Sequence, residues 1–348
     1  METSTEQIIS LAVINPNNGV EARCRFKGKI DRVEESKIID WKGVAKVDRF
    51  ITRSRIGYQG ELYTLAKQAA NVAIDEIEYR LIARPTIRMY VKDEKESKET
   101  GLPVPEVYEN RCLKWLLGDP AKMTTHNYPI HSAKLEQAEW YLWESSRRLL
   151  ENRRCDRWIP NTHACFAWER ECQYIPLCDA VQNGADVEWL IDSGYRVLDN
   201  SHPELGDEGK GNIITYSSLG DLHLCEMIYF WAHERRLRKG VGEDSEALWI
   251  GNAMHAGMEK IDEGPEAARL AVTGWADRNP VLGEKDNHMQ EQQVARANAM
   301  IRAAAIKWPM EMPNYEIGVD MAAGPDMSMR DGIVDQPDHD DHNAPDDD

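Results

Sequence analysis

The chain has 348 residues, 42% of them hydrophobic, and a net charge of −18. That length is enough for a real core in one large domain or two small ones, and no run of about 18 apolar residues is present to span a membrane. Eight of the acids lie in Asp331–Asp348, which holds no Lys or Arg, so −10 remains for the rest; contact with a polyanion would need a local basic patch or site-bound cations.

The N-terminus, METSTEQIIS, lacks a basic segment followed by an apolar stretch, so the expectation is a soluble, cytoplasmic protein without a signal peptide. Residues 1–54 read as strands and turns. Within them GKIDRVEESKIIDWKG predicts a hairpin with its turn at Glu34–Lys37. That turn sets Val33 opposite Ile38 and Asp31 opposite Asp40, and directly opposed residues share a face of the sheet. Period two adds Lys42 to that face and turns Ile39 and Trp41 to the other. Two facing carboxylates repel unless a divalent cation lies between them, and an adjacent ammonium can orient water or offset charge on a phosphate. That composition suits metal-dependent phosphodiester hydrolysis. An exposed edge ribbon with solvated charges fits the hairpin equally well when it is taken alone.

Glu61–Arg80 predicts a helix, and Gln59 and Tyr63, four apart at its start, share one helical face. Pro85–Asp93 predicts an extended segment, KDEKESKETGLPVPE a charged loop, and His131–Arg154 a long amphipathic helix. Cys165, Cys172 and Cys178 then follow with C-x6-C-x5-C spacing. Thiolates this close suggest one metal or cluster; buried free thiols are the alternative. The spacing lacks the short knuckles of structural zinc sites, and a fourth ligand must come from elsewhere, Cys155 being nearest in sequence. Cys24, Cys112 and Cys225 are scattered. GDEGKGN reads as a linker. Ser217–Leu237, Asp244–Asp262 and Asn287–Lys307 predict three helices, with TGWADRNP as a loop. Asp331–Asp348 predicts a disordered acidic tail.

GKIDRV, KIIDWKG and YQGELYTLA together resemble the core of the PD-(D/E)XK nuclease superfamily, in particular its RecB-like exonucleases: G-x-x-D, a strand ending D-x-K, then Q-x-x-x-Y. The resemblance implies that Asp31 and Asp40 bind Mg²⁺ or Mn²⁺, that Lys42 is the catalytic lysine, and that Gln59 and Tyr63 line the DNA path. Relatives of the CRISPR-associated and AddB types carry a four-iron cluster, [4Fe–4S], held by three late cysteines and one remote one. Their usual C-x2-C-x5-C spacing is shorter than the one here. Ser217–Trp231 resembles the S-x-L…C-P-x-x-Y-x-Y helix of these enzymes, which implies that Cys225 rather than Cys155 is the fourth ligand, with Glu226 in place of the usual proline. Gly251–Glu259 resembles G-x-x-x-H-x-x-x-E, implying that His255 is a further metal ligand.

The motifs stand in permuted order, because the Cys225 and His255 helices usually precede the hairpin. Gly332–Asp335 echoes G-x-x-D with no D-x-K after it. A working permutant, a head-to-tail homodimer that exchanges halves, and an inactive join of two fragments are all open. The expected fold is a restriction-endonuclease-like α/β core, a mixed sheet flanked by helices, with an additional helical part. The expected divisions are a nuclease core over 1–183, a linker over 184–211, a helical module over 212–320 and a tail over 321–348. The expected activity is exonuclease action on single-stranded or end-bearing DNA, as used in phage recombination, repair and CRISPR adaptation. A non-catalytic, cluster-stabilised DNA-binding or interaction protein is the alternative. No GxxxxGK[ST] loop is present, so no ATP-driven helicase is expected.

Overall fold

The computed structural model describes residues 4–169, 171–198, 205, 212–239, 246–280 and 286–309. Three strands open the chain: β1 (Ser4–Ile14), β2 (Glu21–Glu34) and β3 (Lys37–Val44). Helices α1 (Val47–Ile56) and α2 (Gln59–Ala69) carry it to β4 (Glu76–Ala83). After α3 (Val91–Thr100) and α4 (Val104–Leu117), β5 (Met123–Pro129) completes a sheet ordered β1-β2-β3-β4-β5. Only the β3–β4 pairing in this path is parallel, as the crossover through α1 and α2 requires. The later strand β7 (Ile213–Ile214) joins β2 in parallel.

Consecutive β3 residues face opposite cores. Ile38 packs with Phe26, Ile30, Leu62, Leu142 and Leu219, so this face is covered by α2, α5 (Ser132–Cys155) and α8 (Tyr216–Leu224). Ile39 and Trp41 pack with Tyr108, Trp249, Met254, Val272 and Met300, beneath α4, α10 (Glu246–Met258), α11 (Pro265–Arg278) and α12 (Asp286–Lys307). Chain from residue 246 onward therefore roofs a sheet whose first five strands come from residues before 130, and the described residues belong to one compact unit. The approach is close: a Cβ on Gly43 of β3 would stand 3.0 Å from Met300 Cε and 3.3 Å from Met254 Sδ. A third cluster, around Tyr174, Leu177, Cys225 and Trp231, joins α6 (Ile175–Gln182), α7 (Val187–Gly194), α9 (Glu226–Tyr229), the π-helical turn Phe230–Glu234 and the small ribbon of β6 (Tyr195–Val197) and β8 (Leu237–Lys239).

The mixed α/β class with a helix-flanked sheet agrees with the restriction-endonuclease-like expectation. Several local expectations need correction. The helix from Glu61 does not reach Arg80: Asn71 turns left-handed at φ 60° and the chain re-enters the sheet at Glu76. KDEKESKET is helical as part of α3, held by the capping box between Tyr90 and Asp93 and by the left-handed Gly101. Pro85–Tyr90 forms no strand. TGWADR belongs to α11, which stops at Asn279. The helix expected over Ser217–Leu237 is broken at Cys225, whose backbone is extended (φ −166°, ψ 125°). GDEGKG, the Gly332–Asp335 echo and the acidic tail lie outside the described residues. No helix among those described is long and apolar enough to cross a membrane.

Candidate active site and cysteine cluster

The β2–β3 hairpin has the expected register, Val33↔Ile38 and Glu34↔Lys37, but the ladder ends one step on, at Arg32↔Ile39. Further back, at Arg25 and Phe26, the partner of β2 is β7, while β3 runs on beside β4. The sheet thus forks, and Asp31 sits at the fork. Its Oδ2 accepts the Trp41 backbone N–H at 2.8 Å, a side chain serving where a backbone carbonyl would in a continuing ladder. The fork therefore aims a carboxylate from β2 at the D-x-K segment of β3.

Asp40 is nearly buried, its side chain 5% exposed, and Lys42 Nζ lies 3.0 Å from its Oδ1 and 2.8 Å from its Oδ2. From α10, His255 brings Nδ1 to 3.7 Å from Asp31 Oδ1. Tyr63 of α2 accepts a hydrogen bond from Gln59 Nε2 at 3.0 Å and lies near enough to feel Asp40, Lys42 and Asp31. Gly28 makes room for its ring: a Cβ there would stand 2.8 Å from Tyr63 Cε1. This is the steric reason for the glycine in G-x-x-D, which spacing alone did not reveal.

Burial raises the pKa of both Asp31 and Asp40, and Lys42 works against that rise at each. Burial alone would depress the Lys42 ammonium; Asp40 and Asp31 outweigh it and hold the pKa above the usual lysine value. Burial, with Lys42 adding to it, lowers His255 to about 4 against the pull of Asp40 and Glu259. Burial and Asp40 push Tyr63 up to about 12. At neutral pH the site therefore presents a neutral imidazole, a fixed ammonium, a protonated phenol and two carboxyl groups that need positive charge nearby to stay ionised.

These donor types fit a small divalent cation: hard carboxylate oxygens and one unprotonated imidazole. The 3.7 Å between Asp31 and His255 compares with about 3 Å between neighbouring ligands of an octahedral Mg²⁺. The set is not closed, since Asp40 faces Lys42, and among the described residues no three His, Cys, Asp or Glu side chains form a finished metal-holding group.

The cysteines gather separately. Cys225 is buried, and its Sγ accepts the Asn161 backbone N–H at 3.2 Å. Cys172 donates its backbone N–H to the Cys165 carbonyl at 2.7 Å. Burial raises the Cys178 thiol to about 11, and Cys172, Cys225 and Cys165 all lie near enough to add to that rise. Cys155 is exposed, with its thiol donating to Glu151 Oε1 at 3.1 Å. The extended backbone at Cys225, which breaks the expected helix, sets its sulfur against the Asn161 backbone, just before the 3₁₀ segment Thr162–Glu169 that carries Cys165; Cys172 follows in the next turn and Cys178 in α6.

The structure thus brings Asp31, Asp40, Lys42, Tyr63 and His255 together, with Gln59 reaching the group through Tyr63, and places Cys165, Cys172, Cys178 and Cys225 in one neighbourhood; there too, among the described residues, no three side chains form a metal-holding group. Two charged neighbours of the first site were not singled out for it: Lys29 of β2, and Glu259, named earlier only as the last residue of the G-x-x-x-H-x-x-x-E stretch. Lys29 Nζ lies 3.0 Å from Glu259 Oε1, and both interact with Asp31. The period-two spacing of Lys29 and Asp31 was the available signal; a partner 230 residues away left none.

Residues 213–336 match the family model of the PD-(D/E)XK nuclease superfamily. The span includes Cys225 and His255 and excludes Asp31, Asp40 and Lys42. A domain of this superfamily implies a phosphodiester hydrolase with DNA as substrate, and its members typically use Mg²⁺ or Mn²⁺. No curated protein and no solved structure was found to match the chain.

Proposed function

We propose that the chain is a divalent-metal-dependent DNA exonuclease acting on single-stranded or end-bearing DNA, with one site per chain assembled from motifs in permuted order. One observation carries this reading: His255 reaches Asp31 from more than two hundred residues downstream, beside Asp40, Lys42 and Tyr63, with no second chain required.

Asp31, Asp40 and His255 would hold the cation. The chemistry a bound Mg²⁺ or Mn²⁺ supplies is Lewis-acid polarisation of phosphate oxygens and acidification of water. Lys42, kept as an ammonium by its two carboxylates, acts as a donor that orients water or offsets charge on the phosphate; it is not a proton-accepting base. Tyr63 keeps its proton and can donate to a phosphate oxygen, while Gln59 fixes the orientation of its ring. Burial around the pair strengthens each of these interactions relative to water. Cys165, Cys172, Cys178 and Cys225 would hold a structural four-iron cluster that ties the α8–α9 junction to α6 and the segment before it.

The test compares Mn²⁺-dependent nucleotide release from linear single strands and from covalently closed circles. Release from linear strands alone is the expected result. Equal cleavage of circles would replace exonuclease with endonuclease action, and binding of either substrate without release would favour the non-catalytic alternative.

A further inference from the structure

Asp31 and His255 stand 3.7 Å apart, beyond hydrogen-bond reach, so their own contact does not hold the imidazole in place. Its position follows from whatever docks α10. Trp249, Ile250, Met254 and Met258 set the helix into the core beneath Ile39 and Trp41. That packing fixes α10 on β3 and leaves its relation to β2, across the open fork, to other contacts.

Two ion pairs supply them. Lys29 Nζ lies 3.0 Å from Glu259 Oε1, and Arg32 Nη1 lies 2.8 Å from Asp262 Oδ1. On β2 the two basic residues flank Asp31. On the other side Glu259 is one helical turn past His255, whose carbonyl accepts the Glu259 backbone N–H at 3.0 Å. Asp262 lies in the short 3₁₀ turn Ile261–Glu263 that follows. Each pair spans 230 residues of sequence, so two points three residues apart on one strand engage two points three residues apart on the other segment. A joint with two such points resists both rotation of the helix end and sliding along β2. Arg32 is well sheltered, its side chain 10% exposed, and is held in place by Glu34 at 2.6 Å as well, while Asp262 is 36% exposed.

We infer that Lys29–Glu259 and Arg32–Asp262 form a two-point clamp that positions the His255 imidazole against Asp31, making Glu259 and Asp262 positioning residues for the site. The inference rests on the reading of Asp31 and His255 as cation ligands. The experiment uses the full chain and K29E, E259K, the exchanged pair K29E/E259K, and E259Q as a milder variant. Mn²⁺ binding is read by electron paramagnetic resonance, the His255 imidazole by NMR with H255Q to assign its signal, and folding by circular dichroism.

Each single reversal should weaken Mn²⁺ binding by about tenfold, the lower end of what removing an outer-shell partner costs. The His255 signal should move, kcat should fall with little change in the KM for DNA, and the exchanged pair should restore all three. Wild-type Mn²⁺ affinity in the single variants, or no recovery in the exchanged pair, would overturn the clamp. If E259K does not fold, E259Q carries the same comparison. If the wild type binds no Mn²⁺, the ligand reading fails by itself. The clamp is then judged by the His255 signal: one that stays in place in K29E and E259Q overturns it.

Discussion

Replacing Lys42 with Met removes the ion pair that neutralises Asp40 and should expose how strongly the hairpin depends on it. Asp40 is 5% exposed in its side chain and Lys42 23%. Removing one partner of a buried pair costs about 3–5 kcal/mol; the partial exposure of Lys42 places K42M near the lower end, about 3 kcal/mol. The loss should depend on pH. Asp40 already has a pKa above the usual carboxylate value because of burial, and without Lys42 it rises further. A carboxyl whose folded pKa exceeds its unfolded one contributes stability that is complete below the unfolded value and is lost as pH rises through the folded value. K42M should therefore be most destabilised at pH 8 and recover towards wild type by pH 5.5, at up to about 1.4 kcal/mol per pH unit. Urea denaturation of wild type, K42M and D40N/K42M at the two pH values measures this. D40N/K42M, which buries no lone charge, should regain most of the loss at pH 8. An equal loss at both pH values, or a double variant as unstable as K42M, would refute the reasoning.

Two further outcomes follow from the same geometry. His255 has a folded pKa near 4 against an ordinary 6.5, so its stabilising contribution is present above 6.5 and disappears as pH falls through 4. With 36% of its side chain open to screening solvent, that contribution is about 1–2 kcal/mol, and H255Q should flatten the metal-free stability profile between pH 6.5 and 4 by that amount; an unchanged profile would count against an imidazole held neutral by its surroundings. At the cysteine cluster, C225S should lose bound iron and absorbance near 400 nm and lower Tm, while C155S should change none of these; loss in C155S would assign the fourth ligand wrongly.

The hairpin was legible because two independent rules agreed on it: the turn at Glu34–Lys37 fixed the register, and period two fixed the faces. The fork beyond Arg32↔Ile39 was not, because it depends on β7, a two-residue strand from beyond residue 212 that no local pattern announces. Helix α5 showed its apolar stripe plainly. Helix α3 did not, since KDEKESKET is charged on every side; its order comes from its caps and from Arg111, which holds buried Asp93 at 2.8 Å. The run from Glu61 to Arg80 read as one helix because both α2 and β4 are apolar, and composition alone missed the left-handed step at Asn71. The candidate site residues were named by resemblance, each within a short motif. The clamp between Lys29–Arg32 and Glu259–Asp262 was not, because its two sides meet only through the fold.

The most direct test of the account is DNA degradation by H255A set beside D40A. The two residues lie in opposite halves of the chain, and only a site built from both makes them equivalent. The account predicts that wild-type protein with Mn²⁺ degrades linear single-stranded DNA and that both variants, folded by circular dichroism, lose that activity alike. Full activity in H255A alongside an inactive D40A would contradict the shared site, and full activity in both would remove the hairpin from the chemistry altogether.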